Sequence, residues 1–163
     1  SQPPAKQERL RKRACALLGG LLRRLRGADR SLVYSTRNEY YYHSKKHDRQ
    51  YALGVEFVSA GNKRAYYSQG VGATWHAYGH AKAGRGYLAG LWAKRAVKAW
   101  RNLFKINNKY YNSYVHYALA LGILGRFKAM EAALNRSAKL SGKPESYHEF
   151  KDVRQKVAGL ELR

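Results

Sequence analysis

Histidines, carboxylates and cations are the side chains in this sequence that could do chemistry, and their spacing separates three possibilities. His43/His47 and His76/His80 are each four residues apart, the separation at which a helix can turn two imidazoles toward one metal ion. No acid follows either first histidine, and the single cysteine, Cys15, offers no thiolate set, so no metal is expected. Histidines beside nucleic acid serve instead as neutral donors or stacking planes. The carboxylates Glu39, Asp48 and Glu56 stand isolated among cations, where they are paired and ionised, a poor setting for a general acid. No phosphate-binding glycine loop and no nucleophile motif occurs. The third possibility is binding by the cations themselves. In Arg85–Lys105, helical geometry puts Leu88, Trp92, Ala96, Ala99, Trp100 and Leu103 on one side, and stacks Lys94, Lys98, Arg101 and Lys105 into a separate stripe. An ordinary surface helix mixes signs so that residues one turn apart pair. A stripe of one sign beside a tryptophan-bearing buried face suits a polyanion, with RNA first.

Composition supports a binder rather than an enzyme, with neither a cofactor nor a small-molecule substrate expected. Lysine and arginine total 32 against 10 acids, a formal charge of +22, which would repel itself in a compact chain without a polyanion around it. The excess is uneven, because positions 57–130 contain no acid while most of the last 33 residues' surface is mixed in sign. Fourteen tyrosines and three tryptophans, many beside cations, allow base stacking together with phosphate contact. One cysteine excludes an internal disulfide, and no run is long and apolar enough for a membrane span.

The elements that position these groups are helical, so an all-α fold is expected: a basic, extended helical N-terminal part followed by a small C-terminal bundle. Residues 1–39 form a basic arm and an amphipathic helix from Glu8 to Arg26, in which Leu10, Ala14, Leu17, Leu21 and Leu25 follow the helical period. Such an arginine-rich helix also resembles a transit peptide or a membrane-surface helix. Asp29–Asn38 is expected to be a connector. Residues 40–105 form the basic, aromatic-rich binding segment: Tyr41, Tyr42, Lys45, Lys46 and Arg49, a helix over Tyr51–Ala60, then Lys63, Arg64, Tyr66 and Tyr67. Residues 68–86, with five glycines, Trp75 and two histidines, are expected to be an irregular insertion whose backbone lies close to a partner. Residues 106–163 form the bundle, with a helix over Tyr110–Leu124 broken by Gly125, a helix over Phe127–Leu140 that uses Phe127, Met130, Leu134 and Ala138 and is stopped by Gly142 and Pro144, and a loose tetratricopeptide look. A last helix is expected to start at a Ser146/Glu149 capping box, to turn Phe150, Val153 and Val157 inward and to end at Gly159.

Several of these residues carry a family resemblance. Leu91-Trp92-Ala93-Lys94-Arg95 followed by Ala99 and Arg101 resembles the L-W-x-x-R…A-x-x-R signature of the twentieth large-subunit protein of bacterial-type ribosomes. Tyr41-Tyr42, Arg49, Tyr51, Val55 and Val58 are similar to that family's tyrosine-arginine helix, and Ala60-Gly61 with Ala65-Tyr66-Tyr67 to its continuation. Leu134-Asn135-Arg136 resembles a motif of its globular part, with Leu124-Gly125-Arg126 an alternative placement, and the Pro144/Phe150 stretch resembles its last helix. The match spans about residues 40–158, with gaps; in place of the family's dense basic stretch before the L-W, residues 68–84 hold only Lys82.

The resemblance implies a basic N-terminal half threaded between ribosomal RNA helices and a C-terminal bundle on the subunit surface, beside neighbouring large-subunit proteins. The insertions and diluted charge imply an organellar form, mitochondrial before plastid or bacterial. The RNA-binding residues expected are Tyr41, Tyr42, Lys45, Lys46, Arg49, Lys63, Arg64, Tyr66, Tyr67, Trp75, Lys94, Arg95, Lys98, Arg101 and Lys105. The alternatives are a DNA-binding nucleoid-type protein, and a basic accessory subunit of a membrane-associated mitochondrial complex.

Overall fold

A computed structural model describes residues 4–24, 30–144 and 146–161 of the chain. The described residues form eight α-helices and no strand, the all-α class expected from the apolar periodicity. In order these are α1 (Pro4–Arg24), α2 (Arg30–His43), α3 (His47–Ser59), α4 (Tyr66–Lys82), α5 (Gly86–Ile106), α6 (Tyr111–Ile123), α7 (Phe127–Ser141) and α8 (His148–Glu161). A short 3-10 turn, Lys63–Ala65, enters α4.

The largest departure from expectation is α4, which occupies the segment read as an irregular insertion. Glycine costs a helix interior about 1 kcal/mol relative to alanine, and that cost suggested a loop. Here the missing side chains let two neighbours approach. A Cβ on Gly70 would lie 2.4 Å from Trp100 Cε2, and one on Gly72 would lie 2.5 Å from the Tyr51 amide nitrogen and 2.6 Å from the His47 carbonyl oxygen. The backbone does lie close to something, as the composition suggested, but that something is the chain's own α3 and α5. Ser68 to Thr74 are all buried, and Ala77 continues their face.

The core is continuous across the boundary expected near residue 105. Val71 and Ala73 of α4 pack with Ala96, Val97, Trp100 and Leu103 of α5, Leu119 and Leu121 of α6, Met130 and Leu134 of α7, and Phe150, Val153 and Val157 of α8. Residues 66–105 therefore supply the middle of the core rather than an arm beside it. On α5, Ala96, Ala99, Trp100 and Leu103 are buried as expected, while Leu88 and Trp92 are half-buried. A smaller cluster joins Leu53 and Phe57 of α3 to Ala65, with Tyr34 of α2 against it. The Asp29–Asn38 connector is corrected likewise: from residue 30 it is the start of α2, held by a buried polar network. Tyr34 Oη donates to Ser68 Oγ (2.5 Å), which donates to Asn38 Oδ1 (2.6 Å), and Gln50 Nε2 donates to the same oxygen (3.0 Å).

The C-terminal elements follow the sequence more closely. Gly125 (φ 70°) and Gly142 (φ 66°) take the left-handed conformation that ends α6 and α7. Three details differ. Phe127 is exposed, because α7 turns Met130 and Leu134 inward instead. Helix α8 starts at His148 and runs through Gly159 to Glu161. Glu149 Oε2 is buried without a hydrogen-bond partner among the described residues, so it does not close a capping box with Ser146. On α1, Leu10, Leu17 and Leu21 are exposed at 50%, 67% and 41%, so the expected apolar stripe exists but faces outward; Leu25 lies outside the described residues.

His116 of α6 stacks on Trp100 (centroids 5.9 Å apart, planes 7° apart) and meets Trp75 edge-on. Burial pushes its pKa down to about 4. Between about pH 6.5 and 4 the unfolded chain therefore carries a proton here that the folded chain does not. The stability due to neutral His116 is full above pH 6.5 and falls as the pH drops toward 4, by at most about 3 kcal/mol. Some solvent contact at the residue makes that figure an upper bound. His116→Phe is expected to flatten this part of the stability curve, measured by urea unfolding at pH 7.5 and 4.5. An unchanged difference between the two pH values contradicts this account.

Candidate nucleic-acid interface

The cationic stripe forms as expected and gains a fifth member. Lys94, Lys98, Arg101 and Lys105 are all exposed on α5, opposite the face that buries Ala96 and Trp100. Arg126, at the turn between α6 and α7, comes alongside, so that five cations line a shallow groove of about 340 Å³ with Val97, Asn102 and Leu124. No carboxylate lines it, and none of the five is ion-paired among the described residues. Lys105 also sits in the last turn of α5, where a positive charge is favoured by the helix dipole. Five like charges without counter-charges repel one another, and this arrangement is relieved only by an anion or by salt. Arg126 was missed because no local spacing links it to the stripe; only the packing of α6 on α5 does.

A second basic surface gathers Tyr42, Lys45 and Trp75 from the expected set. With Arg11, His43, His47, Tyr78, Gly79 and Lys82 they line a recess of about 500 Å³ whose cavity-facing residues include no acid. Lys45 holds φ 57°, uncommon for a residue with a side chain, at the left-handed position that ends α2; the Lys46 amide there donates to the Tyr41 carbonyl (2.9 Å). Arg11 donates to the His43 carbonyl (2.7 Å) and is ion-paired with Glu8. His47 stacks against Trp75, and burial lowers its basicity, with the neighbouring Gln50 amide opposing that shift. Trp75 Nε1 is nevertheless buried without a hydrogen-bond partner among the described residues.

The remaining expected residues are dispersed. Arg95 lies over the Trp92 ring (4.5 Å), which in turn meets Tyr51 and His76 edge-on, so its guanidinium covers an aromatic cluster. Tyr67 packs edge-on to Trp100, and burial pushes its phenol up to about 12. Tyr66 is half-buried against the core. Tyr41 and Arg49 share a cleft with Arg37, Asp48 and Glu56, where counter-charges are at hand. Lys46 lies over Tyr40 at 5.3 Å, and Lys63 and Arg64 are exposed in the 3-10 turn.

The second histidine pair makes a relay: Arg85 Nε donates to His80 Nδ1 (2.8 Å), which leaves His80 Nε2–H to donate to His76 Nε2 (3.2 Å). Burial lowers the basicity of both rings. Among the described residues no three histidine, cysteine or acidic side chains converge as a metal would need. No described helix is long and apolar enough to cross a membrane. Compared with family models, curated proteins and solved structures, the chain finds no match.

Proposed function

We propose that this chain is a structural, RNA-binding constituent of the large subunit of an organellar ribosome, most simply the mitochondrial one, and that it contacts ribosomal RNA through the α5 groove. One observation carries the reading: five cations, none of them ion-paired among the described residues, converge on one groove that no described carboxylate lines. Arginine and lysine contacts to phosphate supply affinity without reading sequence, which suits a protein that fixes RNA segments relative to one another. The recess at Tyr42, Lys45 and Trp75 is the second contact. On this reading the RNA lies along a folded surface, since α4 is packed between α3 and α5 and is not free to thread. The family resemblance at Leu91-Trp92…Arg101 supports the choice of ribosomal RNA over other polyanions, and neighbouring large-subunit proteins are then its further partners.

The test is sedimentation of the native protein from organellar lysate in high salt. It is expected to travel with the large ribosomal subunit; recovery with DNA, or at the top of the gradient, contradicts the reading. A second reading, a basic subunit of a membrane-associated complex, is favoured by the outward leucines of α1 beside its arginines. Recovery of the native protein in the membrane fraction instead of the ribosomal one selects it.

A further inference from the structure

Helix α1 turns an apolar ridge away from the protein. Leu10, Leu17 and Leu21 are spaced by seven and four residues, so on a helix they fall within about 40° of one another. All three are exposed, and none belongs to either core cluster. Gly19, on the opposite side of the helix, faces α2, where a Cβ would lie 3.6 Å from Tyr40 Cε2. Lys6, Arg9, Arg13 and Arg24 are exposed along one flank of the ridge, and none is ion-paired among the described residues. The single acid of α1, Glu8, lies toward the packed side and is ion-paired with Arg11. The outward side of α1 is therefore a leucine ridge bordered by charge of one sign.

That border selects what covers the ridge. A second copy of the chain would bring two cationic borders together, and like charges repel. RNA neutralises the cations but offers the leucines nothing apolar to bury against. An anionic bilayer surface answers both features at once. Acyl chains take up the leucines, while lysine and arginine stems reach back to the headgroup phosphates. No described helix is long and apolar enough to cross a membrane, so α1, at 21 residues about 30 Å long, would lie along the surface.

We propose that α1 is an interfacial helix that docks the chain on an anionic lipid surface, with Leu10, Leu17 and Leu21 in the acyl boundary and Lys6, Arg9, Arg13 and Arg24 on headgroup phosphates. This names the contact that the membrane-associated reading needs, and the two fail separately: a chain that does not bind vesicles can still fractionate with membranes through another protein. Flotation of the full chain with lipid vesicles is the test. It is expected to float with phosphatidylcholine vesicles carrying about a third phosphatidylglycerol, and to bind pure phosphatidylcholine about tenfold or more weakly. A chain of charge +22 is drawn to any anionic surface, so the deciding variant keeps every charge. Leu10→Gln, Leu17→Gln and Leu21→Gln combined are expected to weaken binding to the anionic vesicles about tenfold or more, with the helical spectrum and the affinity for RNA unchanged. Unchanged vesicle affinity in that variant overturns the proposal, and so does equal binding of the native chain to both kinds of vesicle. A matching loss of RNA affinity would make the ridge an RNA contact, and a native dimer that the variant abolishes would make it a contact between copies; either result also overturns it. The ridge shares no residue with the α5 groove, so vesicle binding does not bear on RNA binding there.

Discussion

Trp100→Ala is expected to destabilise the chain by about 3–5 kcal/mol, a large share of the roughly 5–15 kcal/mol available to a domain of this kind. Trp100 is fully buried at the centre of the continuous core. Its indole Nε1 donates to Thr74 Oγ1 (3.1 Å), which donates to the Gly70 carbonyl (2.7 Å), so the ring is hydrogen-bonded to the helix it packs on. Tyr67 meets it edge-on and His116 stacks on it. Removing it leaves a void beside Gly70, which has no side chain to fill it. Urea unfolding followed by circular dichroism checks the prediction; a loss below about 1 kcal/mol would mean that Trp100 is not the keystone of this packing.

Replacing Lys94, Lys98, Arg101 and Lys105 together by glutamine has the largest expected effect on binding. All four are exposed, and their long stems lie outside the core, so the variant is expected to keep its helical spectrum and to unfold no more easily than the native chain. Relief of like-charge repulsion adds to its stability only at low salt. Affinity for a structured ribosomal RNA fragment is expected to fall on the order of a hundred- to a thousandfold at 0.1 M salt, the size of counterion release from four phosphate contacts. A variant that fails to fold would make the stripe structural. One that folds and binds unchanged would move the RNA contact elsewhere, with the recess at Tyr42, Lys45 and Trp75 the next surface to alter.

What could be read from the chain alone was what depends on local period. The amphipathic pattern of Arg85–Lys105 gave both faces of α5, and Gly125, Gly142 and Pro144 marked turns that the structure keeps. The pattern failed where burial surrounds an element on several sides. Helix α4 has no single apolar face, because Gly70, Val71, Gly72, Ala73 and Thr74 are all buried, and small residues around a whole helix look in sequence like a flexible loop. Pairing by charge was equally invisible: Arg126 joins the stripe, and Glu39, Glu149 and Asp152 meet in one cleft, only through contacts between helices distant in sequence. The packing partners of the aromatic rings were hidden for a related reason. Tyr67 and Trp75 sit beside cations or histidines in sequence, yet their rings are engaged by Trp100, His47, Tyr78 and His116.

If the α5 groove binds RNA through its phosphates, the strength of binding falls steeply with salt. Association with a ribosomal RNA fragment is measured from about 0.05 to 0.3 M salt for the native chain and for the four-glutamine variant side by side. Each phosphate contact contributes roughly 0.7–0.9 to the slope of log K against log salt, so the native line is expected to be steeper than the variant's by about 3. Parallel lines, or a native affinity that does not change with salt, would contradict the account.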